Sequence, residues 1–422
     1  MSIRFAIMLA ASALCIAACS QTDAEEPVAG SGTEYTQGET DGSAAPSAAT
    51  IAMRGQWLNP EINSFTFRNT QDVFAYRMVD AAAQPRELPR ADGFVMPQAS
   101  LAGGAVDYSA WADGTFTNGL LVLRDGQVVF EDYRNRMTAD TPHIAFSMTK
   151  TITAMLVGQA LEQGEIGSLD DLASKYVPAL ADGAYGRATI RNILEMRSGA
   201  DIEERYDFGA NPSLAAQIHE AAIVRNQRRF ADFAVGIGTR SEPGSTFNYA
   251  TLDTAVLGWV LEEATGQKLE HLMESRIWQP MGAEFSGHFL ADGPVGTGRA
   301  LNGMGFNASL RDFARLGQLL LDNGMAGDTR ILPEGWVAAM STIKPTGMPP
   351  GAGFPGYGLQ TWQVDSEPGA FAAVGLAGQF IYVHPQSRTV IVKLSYYPPV
   401  EPAGVDSDVL AYFAAIAKVP TP

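Results

Sequence analysis

A serine and a lysine three residues apart carry the clearest chemical signal in this sequence. Ser147 and Lys150 stand at the start of a predicted helix, where this spacing places both side chains on one face. The positive end of the helix dipole favours a serine alkoxide or an oxyanion. A free lysine has a pKa of about 10.4 and is no base at neutral pH, but burial lowers that pKa. A neutral Lys150 could therefore take the Ser147 proton and activate the hydroxyl for acyl transfer.

The same spacing occurs a second time, at Ser341 and Lys344. There Pro345 follows at once, so a helix cannot continue, whereas Ser147 precedes a long segment with an apolar face. We interpret Ser341 as an ordinary loop residue and Ser147 as the candidate nucleophile. Taken alone, the first pair is equally compatible with a helix-capping serine beside a solvated lysine.

Two further segments could complete an acyl-transfer site. Tyr249 lies just before a predicted helix, and a phenol near Ser147 can relay a proton to a leaving group. Gly378 and Gln379 stand where a glycine-containing segment enters a strand, which lets a substrate approach the backbone closely. The amide N–H of Gln379 could then form an oxyanion hole with that of Ser147. The plainer interpretations are a packed tyrosine and an ordinary lead-in to a hairpin.

Hydrophobic periodicity predicts the elements that must position these residues. One β-hairpin is predicted at 119–133, around Asp125-Gly126, and a second at 380–395. The remaining periodic segments predict helices at 149–163, 189–196, 252–264 and 309–322 and one that begins near 406. Strands from both ends of the chain should therefore share one antiparallel sheet covered by helices, with a mostly helical region between them.

These motifs occur in the order and spacing of the class C β-lactamase-like serine hydrolase superfamily, and the chain most closely resembles its aminohexanoate-dimer (nylon-oligomer) hydrolases and related esterases. The resemblance covers roughly residues 60–415. It includes the segments 65–69, 144–150, 189–199, 252–266, 278–282, 305–309 and 357–362.

The resemblance implies an α+β fold of the β-lactamase and penicillin-binding-protein type, an antiparallel sheet flanked by helices plus a mostly helical domain. The serine hydrolase domain would span 51–420, with an α/β part at about 51–165 and 335–420 and a helical part at about 166–334.

The resemblance also implies roles for the candidate residues. Ser147 would be the acylated nucleophile, Lys150 its base or proton relay, and Tyr249 the general acid/base. Gln379 would supply the second oxyanion N–H from its backbone, with Gly378 beside it at the substrate.

Two positions depart from the family pattern. Thr251 stands where the Asn of a Tyr-x-Asn motif is expected, so this substrate-binding position keeps a hydroxyl but lacks an amide. Leu376 stands where β-lactamases carry the Lys of Lys-Thr-Gly, which removes a charge-assisted contact to the carboxylate of a β-lactam. Both changes favour less anionic substrates.

The sequence therefore predicts a serine hydrolase that cleaves a carboxylic ester or a small linear amide. The alternatives are a peptidoglycan-directed D-amino-acid peptidase or β-lactamase, and a non-catalytic binding protein on the same scaffold. We expect no cofactor and no metal, because the scattered histidines lack metal-ligand spacing. A net charge of −17 argues against nucleic-acid binding. Nothing in the sequence indicates an oligomeric state.

The N-terminal segment predicts export. Residues 1–19 combine a positive start with an apolar run too short to span a bilayer, and they end at Cys19 in a lipobox-like context. The chain's two cysteines, Cys15 and Cys19, both lie here, so the folded part has no disulfide. The polar segment 20–50 is predicted to be a disordered linker. We expect a lipid anchor in the bacterial envelope, the protein's only membrane contact, with the domain facing the periplasm.

Overall fold

The computed structural model describes residues 45–294, 296–348, 353–364 and 369–420. The helices are α1 (Ala48–Gln56), α2 (Asn63–Thr66), α3 (Tyr108–Gly114), α4 (Thr149–Glu162), α5 (Ala173–Tyr176), α6 (Ile190–Leu194), α7 (Leu214–Ile218), α8 (Thr251–Thr265), α9 (Leu269–Met273), α10 (Gln279–Met281), α11 (Leu310–Leu321), α12 (Trp336–Met340) and α13 (Val405–Lys418). The strands are β1 (Tyr76–Val79), β2 (Ala99–Leu101), β3 (Gly104–Val106), β4 (Thr117–Arg124), β5 (Gln127–Tyr133), β6 (His143–Ile144), β7 (Gly287–Leu290), β8 (Phe306–Ala308), β9 (Met325–Ala326), β10 (Thr329–Arg330), β11 (Lys344–Pro345), β12 (Gly356–Tyr357), β13 (Trp362–Gln363), β14 (Phe371–Gly375), β15 (Gln379–His384) and β16 (Thr389–Ser395).

One large antiparallel sheet joins both ends of the described chain, in the order β11-β12-β13-β14-β15-β16-β4-β5. Both predicted hairpins are present in it, as β4–β5 and β15–β16. Asp125 and Gly126 have positive φ values of 50° and 78°, which suits the tight turn between β4 and β5. Strand β16 pairs with β4, so the C-terminal hairpin continues the N-terminal one, and the predicted α+β class is confirmed.

Helices cover both faces of this sheet. On one face Phe413 of α13 packs against Phe380 and Tyr382 of β15. On the other face α11 comes so close that a Cβ on Gly317 would lie 2.4 Å from a methyl group of Val390. The predicted division at 334 assigned α11 to the helical part. In the structure, the apolar stripe of α11 is buried against the large sheet.

A small second sheet, β1-β7-β8-β6, connects the helical region to the rest of the molecule. Hydrophobic periodicity does not predict this sheet, because strands of two to four residues carry too few positions to show alternation. This sheet matters for the site, since β6 ends two residues before the turn that holds Ser147.

The folded part begins slightly before the predicted boundary at 50. Helix α1 starts at Ala48, and the Ser47 hydroxyl caps it by accepting a hydrogen bond from the Thr50 amide. The predicted signal peptide, Cys19 and most of the predicted linker lie outside the described residues. Among the helices that are described, none has both the length and the apolar character needed to cross a membrane.

Candidate active site

Ser147 sits in a tight turn that links β6 to α4. Residues Phe146–Met148 form a single 3-10 turn, and Phe146 has a φ of 45°, which is unfavourable for a bulky residue. The aromatic rings of Trp57 and Phe67 pack on the Phe146 ring, with centroids 5.3 and 5.0 Å away, and hold it there. The surrounding core thus maintains a strained backbone that presents Ser147 at the start of a buried helix.

Lys150 lies one turn along, with 1% of its surface exposed. Its Nζ is 2.9 Å from Ser147 Oγ, 3.0 Å from Thr251 Oγ1 and 2.7 Å from the carbonyl oxygen of Gly303. Burial lowers the pKa of Lys150 to about 8, and the negative charges of Glu204 and Asp253 limit that fall. With this pKa, about a tenth of Lys150 is a neutral amine at pH 7, beside the serine, and the neutral fraction grows as the pH rises.

Tyr249 completes the group of three that the sequence singled out. Tyr249 borders both cavities beside Ser147, and its ring centroid is 5.0 Å from Lys150 Nζ. Burial raises the pKa of Tyr249, so the phenol stays protonated at neutral pH. Trp362 stacks on it at 5.4 Å between centroids and fixes its orientation. The structure therefore brings Tyr249, about a hundred residues further along the chain, to the Ser147–Lys150 pair.

Thr251 was predicted as a substrate-binding residue, and the structure places it behind the lysine. Its hydroxyl accepts a hydrogen bond from Lys150 and donates one to Glu204 at 2.7 Å. Its backbone N–H, at the start of α8, donates to the other oxygen of Glu204 at 2.8 Å. Thr251 still borders one cavity at the site.

Two cavities meet at Ser147. The smaller, about 60 Å³, is mainly apolar, with Trp57, Phe208 and Met304 in its wall. The larger, about 360 Å³, has Trp362 and Phe354 on its apolar side and carboxyl groups elsewhere. A further set of residues borders both cavities: Ser147, Glu204, Tyr249 and Leu376. A substrate can therefore place one group on each side of the serine.

Gln379 and Gly378 do not line either of these cavities in the described structure. The Gln379 side chain is fully buried and donates to Leu376 O, Ala377 O and Ser395 O. Gly378 has a φ of 82° and lies against the ring of Tyr397, where a Cβ would come within 2.3 Å. The oxyanion N–H predicted at Gln379 and the substrate contact predicted at Gly378 therefore stay predictions, which the lining of these two cavities does not support.

The backbone that approaches Ser147 belongs instead to Gly375 and Leu376, at the end of β14. A Cβ on Gly375 would lie 2.2 Å from Ala145 O, so only glycine allows this strand to pack against the serine turn. Leu376 follows directly and borders both cavities.

The remaining candidates are structural. Ser341 donates to Val337 O, while Lys344 forms an ion pair with Glu195 at 2.6 Å, so the second Ser-x-x-Lys spacing makes no pair. His143 is buried and hydrogen-bonded to Asn118. Within the described ranges, no group of three or more His, Cys, Asp or Glu side chains could hold a metal ion.

Glu204 and Gly303 neighbour the reactive pair, and nothing in the sequence predicts either of them there. Glu204 lies in an irregular segment between α6 and α7, and Gly303 takes part through its carbonyl. No spacing rule links such positions to Ser147, because only the tertiary fold brings them near.

Comparison with known proteins gives a consistent result. The Beta-lactamase family matches residues 110–414. The 6-aminohexanoate-dimer hydrolase of Paenarthrobacter ureafaciens is 30% identical over 310 residues, which cover 71% of this chain and 77% of that protein. Esterase EstB of Burkholderia gladioli is 28% identical over 41% of this chain and 47% of its own length. A solved Bacillus anthracis structure, named "Putative 6-aminohexanoate-dimer hydrolase", has a TM-score of 0.78 at 25% identity and covers 90% of this chain and 100% of its own.

Proposed function

The chain belongs to the Beta-lactamase family of serine hydrolases, and from this premise we propose that it cleaves a carboxylic ester or a small linear amide through an acyl-enzyme on Ser147. One observation carries the proposal: a buried lysine with a lowered pKa lies 2.9 Å from the hydroxyl of a serine that borders two cavities. Buried groups with shifted pKa values beside a nucleophile are typical of catalytic sites.

In the proposed acylation, neutral Lys150 takes the proton of the Ser147 hydroxyl while Oγ attacks the substrate carbonyl carbon. The carbonyl π electrons move to oxygen, giving a tetrahedral oxyanion. As it collapses, the bond to the alkoxide or amine leaving group breaks and that group receives a proton through Tyr249. Hydrolysis then runs the same transfers with water as the nucleophile and Ser147 as the leaving group.

We assign the oxyanion to the backbone N–H groups of Ser147 and Leu376. The support is positional, since Leu376 borders both cavities and the preceding Gly375 brings its strand against the serine turn. Preformed backbone donors of this kind stabilise the tetrahedral intermediate without reorganisation.

Charge at the larger cavity favours substrates without a carboxylate. The carboxyl groups of Glu203, Glu204, Glu401 and Asp406 border this cavity, and burial raises the pKa values of the neighbouring Glu401 and Asp406. Arg240 also borders the cavity, but it is ion-paired with Glu203 at 2.5 Å. A β-lactam or a peptidoglycan stem peptide would bring its carboxylate into this acidic surface, which counts against that alternative.

The test compares three substrate classes on the purified protein and on Ser147→Ala. We expect turnover of short-chain nitrophenyl esters, reduced by at least about a thousandfold in the variant, since the nucleophile is lost. A linear aminohexanoate dimer, whose free carboxylate would meet the same acidic surface, is expected to react more slowly than the esters. Slow or no turnover is expected for a chromogenic cephalosporin.

Each other result has a clear meaning. Fast cephalosporin turnover would overturn the argument from cavity charge and favour the β-lactamase alternative. No turnover, together with no labelling of Ser147 by a fluorophosphonate, would favour a non-catalytic binding protein.

We also propose that the protein is exported and anchored by a lipid on Cys19. The support is the sequence of the N-terminal segment, where Cys19 follows a short apolar run. Cell fractionation of the wild type and Cys19→Ala tests this. The wild type is expected in the membrane fraction and the variant among soluble exported proteins; equal distribution of both would refute the anchor.

A further inference from the structure

Glu204, which belongs to none of the motifs found in the sequence, is linked to Lys150 through Thr251. Oε1 of Glu204 accepts hydrogen bonds from Thr251 Oγ1 at 2.7 Å and from the Tyr206 hydroxyl at 2.6 Å, and Oε2 accepts from the Thr251 backbone at 2.8 Å. Asn248 anchors the same segment by donating to Ile202 O at 2.8 Å. Both carboxylate oxygens of Glu204 thus accept a hydrogen bond from Thr251, one from its hydroxyl and one from its backbone N–H.

This arrangement decides which way the Thr251 hydroxyl donates. A carboxylate only accepts, so the single hydroxyl hydrogen goes to Glu204 and a lone pair faces Lys150 Nζ at 3.0 Å. The carbonyl of Gly303, 2.7 Å from the same nitrogen, is also only an acceptor. Lys150 must therefore donate one hydrogen to each of these two oxygens.

Proton counting then fixes the orientation of the neutral amine. A neutral lysine has two N–H hydrogens and one lone pair, and both hydrogens are taken by Thr251 and Gly303. The lone pair is left for the third neighbour, Ser147 Oγ at 2.9 Å. This is the geometry in which the amine can accept the serine proton.

We propose that Glu204 is a positioning residue for acylation, which holds Thr251 as a hydrogen-bond acceptor and so aims the lone pair of neutral Lys150 at the Ser147 hydroxyl. The inference rests on the proposed function and adds a residue to its machinery. It also gives a physical reason for Thr251 where an asparagine was expected. The hydrogen of the Thr251 hydroxyl can point toward Lys150 or toward Glu204, and the carboxylate of Glu204 makes it point toward Glu204.

Glu204 also acts on Lys150 through its charge, and the two effects have opposite signs at neutral pH. The charged or titratable groups that face Lys150 are Glu204, Asp253 and Tyr249. The Glu204 charge raises the pKa of Lys150 and so reduces the neutral fraction at pH 7. Loss of that charge alone would therefore increase acylation at low pH, whereas loss of the orientation would lower the rate at every pH.

Glu204→Gln separates these effects. In this variant, the amide oxygen of the glutamine accepts the hydrogen bond from the Thr251 backbone N–H, so its NH₂ group faces the Thr251 hydroxyl. Because that NH₂ group donates to the hydroxyl oxygen, the hydroxyl hydrogen turns toward Lys150. The acylation rate constant, measured by stopped flow with a nitrophenyl ester, is expected to fall about 10- to 100-fold on its high-pH plateau. Its rising limb is expected to move to lower pH.

Three variants control the experiment. Thr251→Val removes the intermediary, so the double variant with Glu204→Gln should be no slower than the slower single variant. Thr251→Ser keeps the hydroxyl and should retain most of the plateau rate. Asp201→Asn removes a carboxylate from the same segment that pairs with Arg240 at 3.9 Å and should leave the plateau rate unchanged.

The outcomes are distinct. An unchanged plateau in Glu204→Gln, or effects of Glu204→Gln and Thr251→Val that multiply, would overturn the proposal. A lower plateau with an unmoved limb and a lowered melting temperature would mean a structural role only, and would also overturn it. Absence of Ser147-dependent turnover in the wild type would instead refute the proposed function itself.

Discussion

At the scale of single residues, the protonation state of Lys150 sets the pH at which the site can work. The neutral amine is the base, and burial lowers its pKa to about 8. The sign follows directly: below that pKa the amine is charged and cannot accept the Ser147 proton, so acylation rises with pH. We predict that kcat/KM for an ester rises about tenfold per pH unit well below 8 and levels off above it.

The matched control for this prediction is Lys150→Arg. The guanidinium keeps a positive charge at all accessible pH values, so it cannot act as the base and the rising limb should disappear with the activity. A wild-type profile that is flat between pH 6 and pH 9, or a limb that persists in Lys150→Arg, would contradict the assignment of Lys150.

Residue chemistry also shows how far the sequence can predict a site. Ser147 lies in the 3-10 turn that leads directly into α4, and Lys150 lies in the first turn of α4, so their spacing alone predicts that the side chains meet, and the 2.9 Å contact agrees. Glu204 and Leu376 have no such local relation to Ser147. The turn after β14 is a second example. The oxyanion N–H was predicted at Gln379, but Leu376, three residues earlier, is the residue that borders the cavities.

At the scale of elements, long periodic segments were predictable and short ones were not. Helix α4 was predicted at 149–163 and spans Thr149–Glu162, and α8 ends at Gly266 in the left-handed conformation. Both hairpins were also predicted, because their turns and apolar alternation are local signals. The strands β6 and β8 have two and three residues and form only because the fold pairs them.

Element partners were harder to predict than element positions. Helix α11 has its Ser309 cap and apolar stripe as expected, yet its place in the chain suggested the helical part. An apolar face indicates that a helix will be buried, but it does not indicate which sheet or helix it will pack against. Contact with β15 and β16 is decided by how the chain returns to the large sheet, which no single segment encodes.

At the scale of the whole molecule, the site lies at a seam between parts of the chain that are far apart in sequence. Ser147 and Lys150 come from the 3-10 turn before α4 and from α4 itself, whereas Thr251 and Gly303 come from the helical region. Helix α1, the first helix among the described residues, also joins distant parts of the chain. Buried Arg54 donates through Nε to Val73 O at 2.8 Å and through Nη1 to Val224 O at 3.3 Å.

We predict that α1 is an integral part of the folded domain. A protein that starts at Ala45 should keep the melting temperature and ester turnover of the full chain. A protein that starts at Leu58 lacks Arg54 and also Trp57, which is 2% exposed and packs on Phe146. Losing a buried tryptophan costs about 3–5 kcal/mol, so its melting temperature should fall by at least about 5 °C, as measured by differential scanning calorimetry.

Single substitutions show whether the loss comes from these contacts or from shortening the chain. Trp57→Ala should weaken both stability and acylation, because the strained Phe146 turn that presents Ser147 loses its support. Met53→Ala, on the same helix but 52% exposed, should leave both unchanged. Equal melting temperatures for the proteins that start at Ala45 and at Leu58 would show that α1 does not brace the folded domain, and the strain at Phe146 would then need another source of support.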